Sequence, residues 1–205
     1  MIKLFDYWRS SASYRVRIAL GLAGEDWDSV VIDLLQADHR SDAHLARNPQ
    51  GLVPVLEIDG HSFTQSLAQI EYLNETRALS LLPNHPAGRA QVRALAYAIA
   101  MEIHPVCNLG VARFAVEQSQ GNITNEVWMK HFIQNGLAAY EGMVIGTAFS
   151  YGESVTLADV CLMPQIYNAQ RWGVDLDQFP KISTIKASLD TTPAFIAAYP
   201  KNHAA

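Results

Sequence analysis

Three serines and two arginines crowd one short stretch, Arg9-Ser10-Ser11-Ala12-Ser13-Tyr14-Arg15. Just downstream, Val16, Ala19, Leu20 and Ala23 recur at three-to-four spacing and Gly24 closes the run, which predicts a helix that begins at the serines. The first N–H groups of a helix have no partner inside it, and serine hydroxyls can accept hydrogen bonds from them. The same N–H groups, with the positive end of the helix dipole, also favour a negative charge. Arg9 and Arg15 raise the local positive potential further. Two readings stand side by side: a well-capped helix, or a helix start that receives an anion.

The elements that must position this stretch lie on either side of it. Ile2-Lys3-Leu4-Phe5 predicts a first strand, and the β-branched run from Asp28 to Leu34 a second. A polar segment with His39, Arg40 and His44 follows. Val55 to Ile58 and His61 to Thr64 flank Asp59-Gly60, a strong signal for a tight hairpin. Pro54 cannot donate to a strand ladder and marks an edge or a bend. Ser66 with Gln69 fits a helix capping box, and Leu67, Ile70 and Leu73 supply an apolar stripe. Strand, helix, strand, helix, hairpin and helix is the order of a thioredoxin-like domain, expected over residues 1–80. In that fold the proline before the third strand is normally cis, and the sequence itself leaves the isomer open.

Residues 81–88 contain Pro83, Pro86 and Gly88 and read as a linker. The pattern over 89–205 is helical throughout, so the expected fold class is an α/β thioredoxin-like domain followed by an all-α domain. His104 and Asn108 stand four apart and are expected on one helix face. Thr156 and Asp159 fit a capping box, which assigns Asp159 to folding rather than to chemistry. Arg171 stands near the end of that helix, with a kink expected at Pro164.

Composition excludes several functions. The chain has 205 residues, 49% hydrophobic and 17% charged, which suits a buried core and argues against disorder. A formal charge of −5 and a pI near 5.8 argue against a nucleic-acid partner. No apolar run approaches the roughly 20 residues of a membrane helix, so no membrane association is expected. Met1-Ile2-Lys3-Leu4 shows no signal-peptide pattern. Cys107 and Cys161 form no paired motif, and the expectation is reduced thiols in a cytoplasmic protein. The seven histidines fall in no metal-binding spacing, and no metal is expected. A thioredoxin-type redox site needs a cysteine where this first helix starts with serines.

The segment Arg9 to Leu20, Arg-Ser-Ser-x-Ser-x-Arg-Val-Arg-Ile-Ala-Leu, resembles the zeta-class glutathione transferases, the group that includes maleylacetoacetate isomerase. Asn48-Pro49-Gln50-x-x-Val53-Pro54, Gln65-Ser66 and Asn168-Ala169-x-Arg171 extend the resemblance over nearly the whole chain. The usual family pattern is Ser-Ser-Cys, so Ala12 is a departure that removes a thiol and leaves Ser10 and Ser11 in place. The resemblance implies glutathione as cofactor and a homodimer. It assigns catalysis to Ser10 and Ser11, and glutathione binding to these two with Arg15, His39, Val53, Gln65, Ser66, His104 and Asn108. Within that set, Gln65 and Ser66 would hold the γ-glutamyl carboxylate, and the Val53 backbone would pair with the cysteinyl part. Arg9 and Arg171 would hold substrate carboxylates.

The implied activity is conversion of maleylacetoacetate to fumarylacetoacetate on the route that degrades tyrosine and phenylalanine. The glutathione thiolate would add to a cis double bond, allow rotation and leave. Three alternatives are weighed against it. They are a maleylpyruvate isomerase, a general transferase or dehalogenase of small α-halo acids, and a non-catalytic interaction module. Some relatives that act on maleylpyruvate carry a basic residue around the positions of Leu109 and Gly110, and its absence here tilts toward maleylacetoacetate.

Overall fold

Strand β1 (Lys3–Asp6) exposes Lys3 and buries the three residues after it, which puts it at the centre of a sheet. Helix α1 (Ser11–Ala23) buries every residue from Ser13 to Leu20 and ends at Gly24, whose φ of 67° is the left-handed conformation of a helix C-cap. Strand β2 (Asp28–Val31) pairs parallel with β1, as a right-handed crossover through α1 allows. It is shorter than the sequence suggests. Asp33 instead accepts a hydrogen bond from the Leu35 N–H, and the ladder stops in a turn. A short 3-10 turn (Asp38–Arg40) and helix α2 (Asp42–Arg47) lead to β3 (Val55–Ile58) and β4 (His61–Phe63).

The sheet order is β2-β1-β3-β4, with β3 antiparallel to both of its neighbours. Asp59 and Gly60 both have positive φ, 53° and 78°, as a two-residue hairpin turn of this twist demands. Helix α3 (Ser66–Thr76) packs on α1, and Leu4, Ile18, Leu20, Leu56, Ile70 and Leu73 are buried between them and the sheet.

The structure, a computed structural model, describes residues 1–204 and forms two units. One comprises residues 1–80 together with 192–204, and the other residues 81–191. The second boundary differs from the sequence reading, which gave all of 89–205 to the helical domain. Helix α10 (Pro193–Ala197) packs instead on α1, where a Cβ on Gly21 would lie 3.2 Å from that of Ala194. The stretch 81–88 also differs from a plain linker. Leu81 and Leu82 are buried, the Leu81 carbonyl accepts from the Leu157 N–H, and the next helix already begins at Pro86.

The helical unit is built on α4 (Pro86–Tyr97), α5 (His104–Val106), α6 (Leu109–Gln118), α7 (Asn125–Met143), α8 (Leu157–Arg171) and α9 (Pro180–Leu189). A π-helical stretch, Ala98–Ile103, joins α4 to α5. Pro105 does not break the helix where it stands. The wider π-turn before it relieves the clash of its ring with the carbonyl four residues back, and the break comes at Cys107 and Asn108. Among the described residues no single helix is long and apolar enough to cross a membrane.

Candidate active site

Ser10 is the N-cap of α1. Its Oγ accepts from the Ser13 N–H at 3.2 Å, which leaves its own proton available to donate. The first turn of α1 holds no acidic residue. Ser11 opens the helix proper and is half-buried, as is Ala12. The turn before them is closed by the Ser10 N–H bonding to the Tyr7 carbonyl at 2.9 Å. On that turn the Arg9 guanidinium lies 4.9 Å from the centre of the Trp8 ring and donates to the Tyr7 hydroxyl at 2.8 Å. One of its five N–H groups is thereby used.

The second part of the site is Val53-Pro54, joined by a cis peptide bond. Pro54 is not at a sheet edge, because β3 lies between β1 and β4; it marks a bend. Val53 is half-buried and precedes the paired residues of β3, so its backbone stands outside the ladder. Side chains pin the chain on both sides of it. His44 Nε2 and Asn48 Nδ2 donate to the Leu52 carbonyl at 3.0 and 2.9 Å, and Gln69 Nε2 donates to the Pro54 carbonyl at 3.0 Å. Behind this loop, Gly51 has a φ of 62°, and a Cβ there would meet Arg40 Nη1 at 2.9 Å and the His39 carbonyl at 3.0 Å. Only glycine fits that position.

The third part is the start of α3. The sequence pattern of a Ser66–Gln69 capping box is not realised. Helix α3 starts at Ser66 with Gln65 as N-cap, and the Gln69 amide is drawn away to the carbonyls of Pro54 and Phe63, the latter at 2.7 Å. Gln65 has a φ of 66°, a strained conformation for a residue with a side chain, and its Nε2 donates to Gln50 Oε1 at 2.7 Å. Here too the first turn contains no acid.

Arg15 ties the first and third parts together. It is 2% exposed, and its Nη1 donates to Ser66 Oγ at 3.4 Å. Arg15 stands five residues past Ser10, roughly 7–8 Å along the helix. The sequence reading assigns it to glutathione binding and to the local positive potential. The structure places its charge against Ser66. His39 is half-buried on the 3-10 turn, and burial, with the charges of Arg40 and His44, lowers its pKa.

His104, Asn108 and Arg171 belong to the helical unit. His104 is half-buried at the start of α5. Asn108 does not share its helix face. It sits past the break as the N-cap of α6, its Oδ1 accepting from the Gly110 N–H at 3.0 Å. Trp128 Nε1 steadies the break by donating to the Val106 carbonyl at 3.0 Å. Arg171 is exposed at the last position of α8, 3.5 Å from Asn168 Oδ1.

Asp159 serves the fold. Its carboxylate, fully buried, accepts from the N–H groups of Ser150 and Thr156 at 2.7 and 2.8 Å and from the Thr156 hydroxyl at 2.9 Å. Sequence reasoning assigned no role to His44, Asn48, Asp6 or Arg17, although Asn48 and Arg17 fall inside its motifs. His44 and Asn48 are polar residues in a polar stretch, and only tertiary packing gives them a task.

Residues 1–75 match the family model described as the glutathione S-transferase N-terminal domain. A maleylacetoacetate isomerase of Rhizobium meliloti is 56% identical over 202 residues, covering 96% of this chain and 95% of that protein. The chain belongs to the maleylacetoacetate isomerase family of zeta-class glutathione transferases. Among solved structures, the holo form of a bacterial zeta-class maleyl pyruvate isomerase superposes with a TM-score of 0.91 at 36% identity, covering 97% of this chain and 96% of that one. A maleylacetoacetate isomerase of Anaeromyxobacter dehalogenans with bound GSH in the active site gives 0.87 at 40% identity, covering 98% and 95%. The family assignment accounts for the mixed sheet and the helical unit together.

Proposed function

We propose that this protein is a glutathione-dependent isomerase that converts maleylacetoacetate to fumarylacetoacetate. The observation that carries this reading is the start of α1. A serine caps it with its proton still available, no acid neutralises it, and an arginine stands one residue before. Such a position stabilises a thiolate, whose ordinary pKa is about 8.5.

The chain's residues fit glutathione as a tripeptide. A backbone segment outside the ladder at Val53 suits strand-like pairing with its middle residue. The acid-less start of α3, with Arg15 beneath Ser66, suits a carboxylate. When bound, glutathione supplies a thiolate that adds reversibly to a cis double bond and so permits rotation to trans. Ser10 donates a hydrogen bond to the sulfur and lowers its pKa. Ser11 adds the free N–H of the first helical residue. Gln65 and Ser66 fix the γ-glutamyl end, and His39, His104 and Asn108 offer further polar contacts. Arg9 and Arg171 recognise the carboxylates of a diacid, for which their planar forks are suited.

The protein acts as a homodimer in the cytoplasm in this reading. The dimer in this reading rests on the family resemblance. Both cysteines are buried thiols with no disulfide, which suits a reducing compartment.

A spectrophotometric assay with maleylacetoacetate and maleylpyruvate, with and without glutathione, tests the reading. Turnover of maleylacetoacetate that requires glutathione without consuming it supports an isomerase. Net conjugation makes the protein a transferase, preference for maleylpyruvate favours the second substrate, and failure to bind glutathione leaves only an interaction module.

A further inference from the structure

Arg17 is the largest fully buried side chain among the described residues, and none of the roles above uses it. Its guanidinium is shared among three places distant in sequence. Nη1 donates to Asp6 Oδ2 at 2.6 Å, at the end of β1. Nη2 donates to the Trp8 carbonyl at 2.9 Å, and Nε to the Ala198 carbonyl at 3.3 Å. Trp8 is the second residue of the turn closed between Tyr7 and Ser10, so its carbonyl orients the peptide plane that leads to Arg9 and Ser10. Asp6 is also fixed from the other side, where its carbonyl accepts from the Ile32 N–H at 2.8 Å.

A buried ion pair is a poor way to gain stability. Desolvation of both charges offsets most of their attraction, and apolar replacements of similar volume are often as stable. What Arg17 provides and an apolar side chain does not is direction. It carries five donors in a rigid plane, and it ties the strand end, the turn and the C-terminal segment to one another.

We propose that Arg17, held by Asp6, is a positioning residue for the reaction. It sets the Tyr7–Ser10 turn, and through it the Ser10 hydroxyl, in the geometry that lowers the thiol pKa of bound glutathione. The C-terminal segment takes part through Ala198, which belongs with residues 192–204 to the first unit. The inference rests on the thiolate role of Ser10 proposed above.

The test is the pH titration of thiolate absorbance for glutathione bound to the full-length protein, with kcat and KM measured alongside. The variants are the apolar pair Asp6→Leu/Arg17→Met and the single Arg17→Lys. The pair keeps volume and leaves no buried charge unpaired, while lysine keeps a charge for Asp6 and lacks the planar fork. Both are expected to raise the thiol pKa by about one unit, which lowers kcat roughly tenfold below that pKa and restores it in alkali. KM for glutathione should change far less than kcat, because Val53, Gln65 and Ser66 are untouched. Wild-type titration in a folded Arg17→Lys, or in the folded pair, overturns the inference. Should the pair not fold, Arg17→Lys decides alone; should neither variant fold, the pair serves stability and the inference is rejected. Absence of any thiolate titration in the unaltered protein instead overturns the proposed function itself.

Discussion

The N-termini of α1 and α8 present the same physical problem and solve it in opposite ways. Each leaves backbone N–H groups without helical partners, and each begins at a hydroxyl-bearing residue, Ser10 or Thr156. At α8 the chain supplies its own anion. Asp159 turns back onto the Thr156 N–H and also binds the Ser150 N–H, and the whole arrangement is buried. At α1 no acid is present, the cap is half-buried, and positive charge rather than negative stands beside it. A helix start filled from within is part of the fold, whereas the one left open and polarised is the place proposed for a ligand's charge.

The contrast is sharpest under substitution. Asp159→Ala should cost about 2–5 kcal/mol of stability, because two buried N–H groups lose their partner. Denaturant unfolding would show the loss, while kcat per folded molecule stays the same. A fall in kcat without a fall in stability would blur the distinction between the two helix starts.

Ser10→Asp makes α1 resemble α8. Aspartate caps a helix as well as serine does, so the melting temperature should hold. A fixed negative charge where the thiolate is to lie should slow turnover at neutral pH by at least the ten- to two-hundredfold expected from losing one charge-assisted hydrogen bond. Stability and activity would then move independently at one residue.

Smaller effects are expected away from the helix starts. Arg171→Lys should raise KM for the diacid several-fold and leave glutathione affinity unchanged, since lysine keeps the charge and loses the fork. Steady-state kinetics with each substrate varied would show it. Stability should also fall on acidification. Burial lowers the pKa of both His39 and His203, with Arg40 opposing the charge on the first and Arg17 on the second. The unfolded chain then takes up protons near pH 6.5 that the folded one does not, so stability present above that pH is lost below it. Thermal melts between pH 7.5 and about 5.5 would check this.

Local devices were legible in the sequence because they depend on neighbours a few residues away. Ser10, Gly24, the Asp59-Gly60 turn and the Asp159 box all stand where spacing places them. What failed did so through competition from distant groups. Gln69 has the spacing for a capping box, yet two carbonyls from another part of the chain take its amide. Four-residue spacing put His104 and Asn108 on one face, but spacing holds only while the helix lasts, and it ends at Cys107. Arg15 counts in the sequence for its charge, and Arg17 has no task there. Their burial depends on Ser66, Asp6 and a carbonyl at Ala198, which no local pattern reveals.

The central claim is that the open start of α1 holds a thiolate through Ser10. Its most direct test is the pH titration of thiolate absorbance for glutathione bound to the wild type, Ser10→Ala and Ser11→Ala. The wild type should titrate below the ordinary thiol value of about 8.5, Ser10→Ala should move back up toward it and recover rate in alkali, and Ser11→Ala should shift less. An unchanged titration in Ser10→Ala, with the shift appearing in Ser11→Ala instead or in neither variant, would contradict the account.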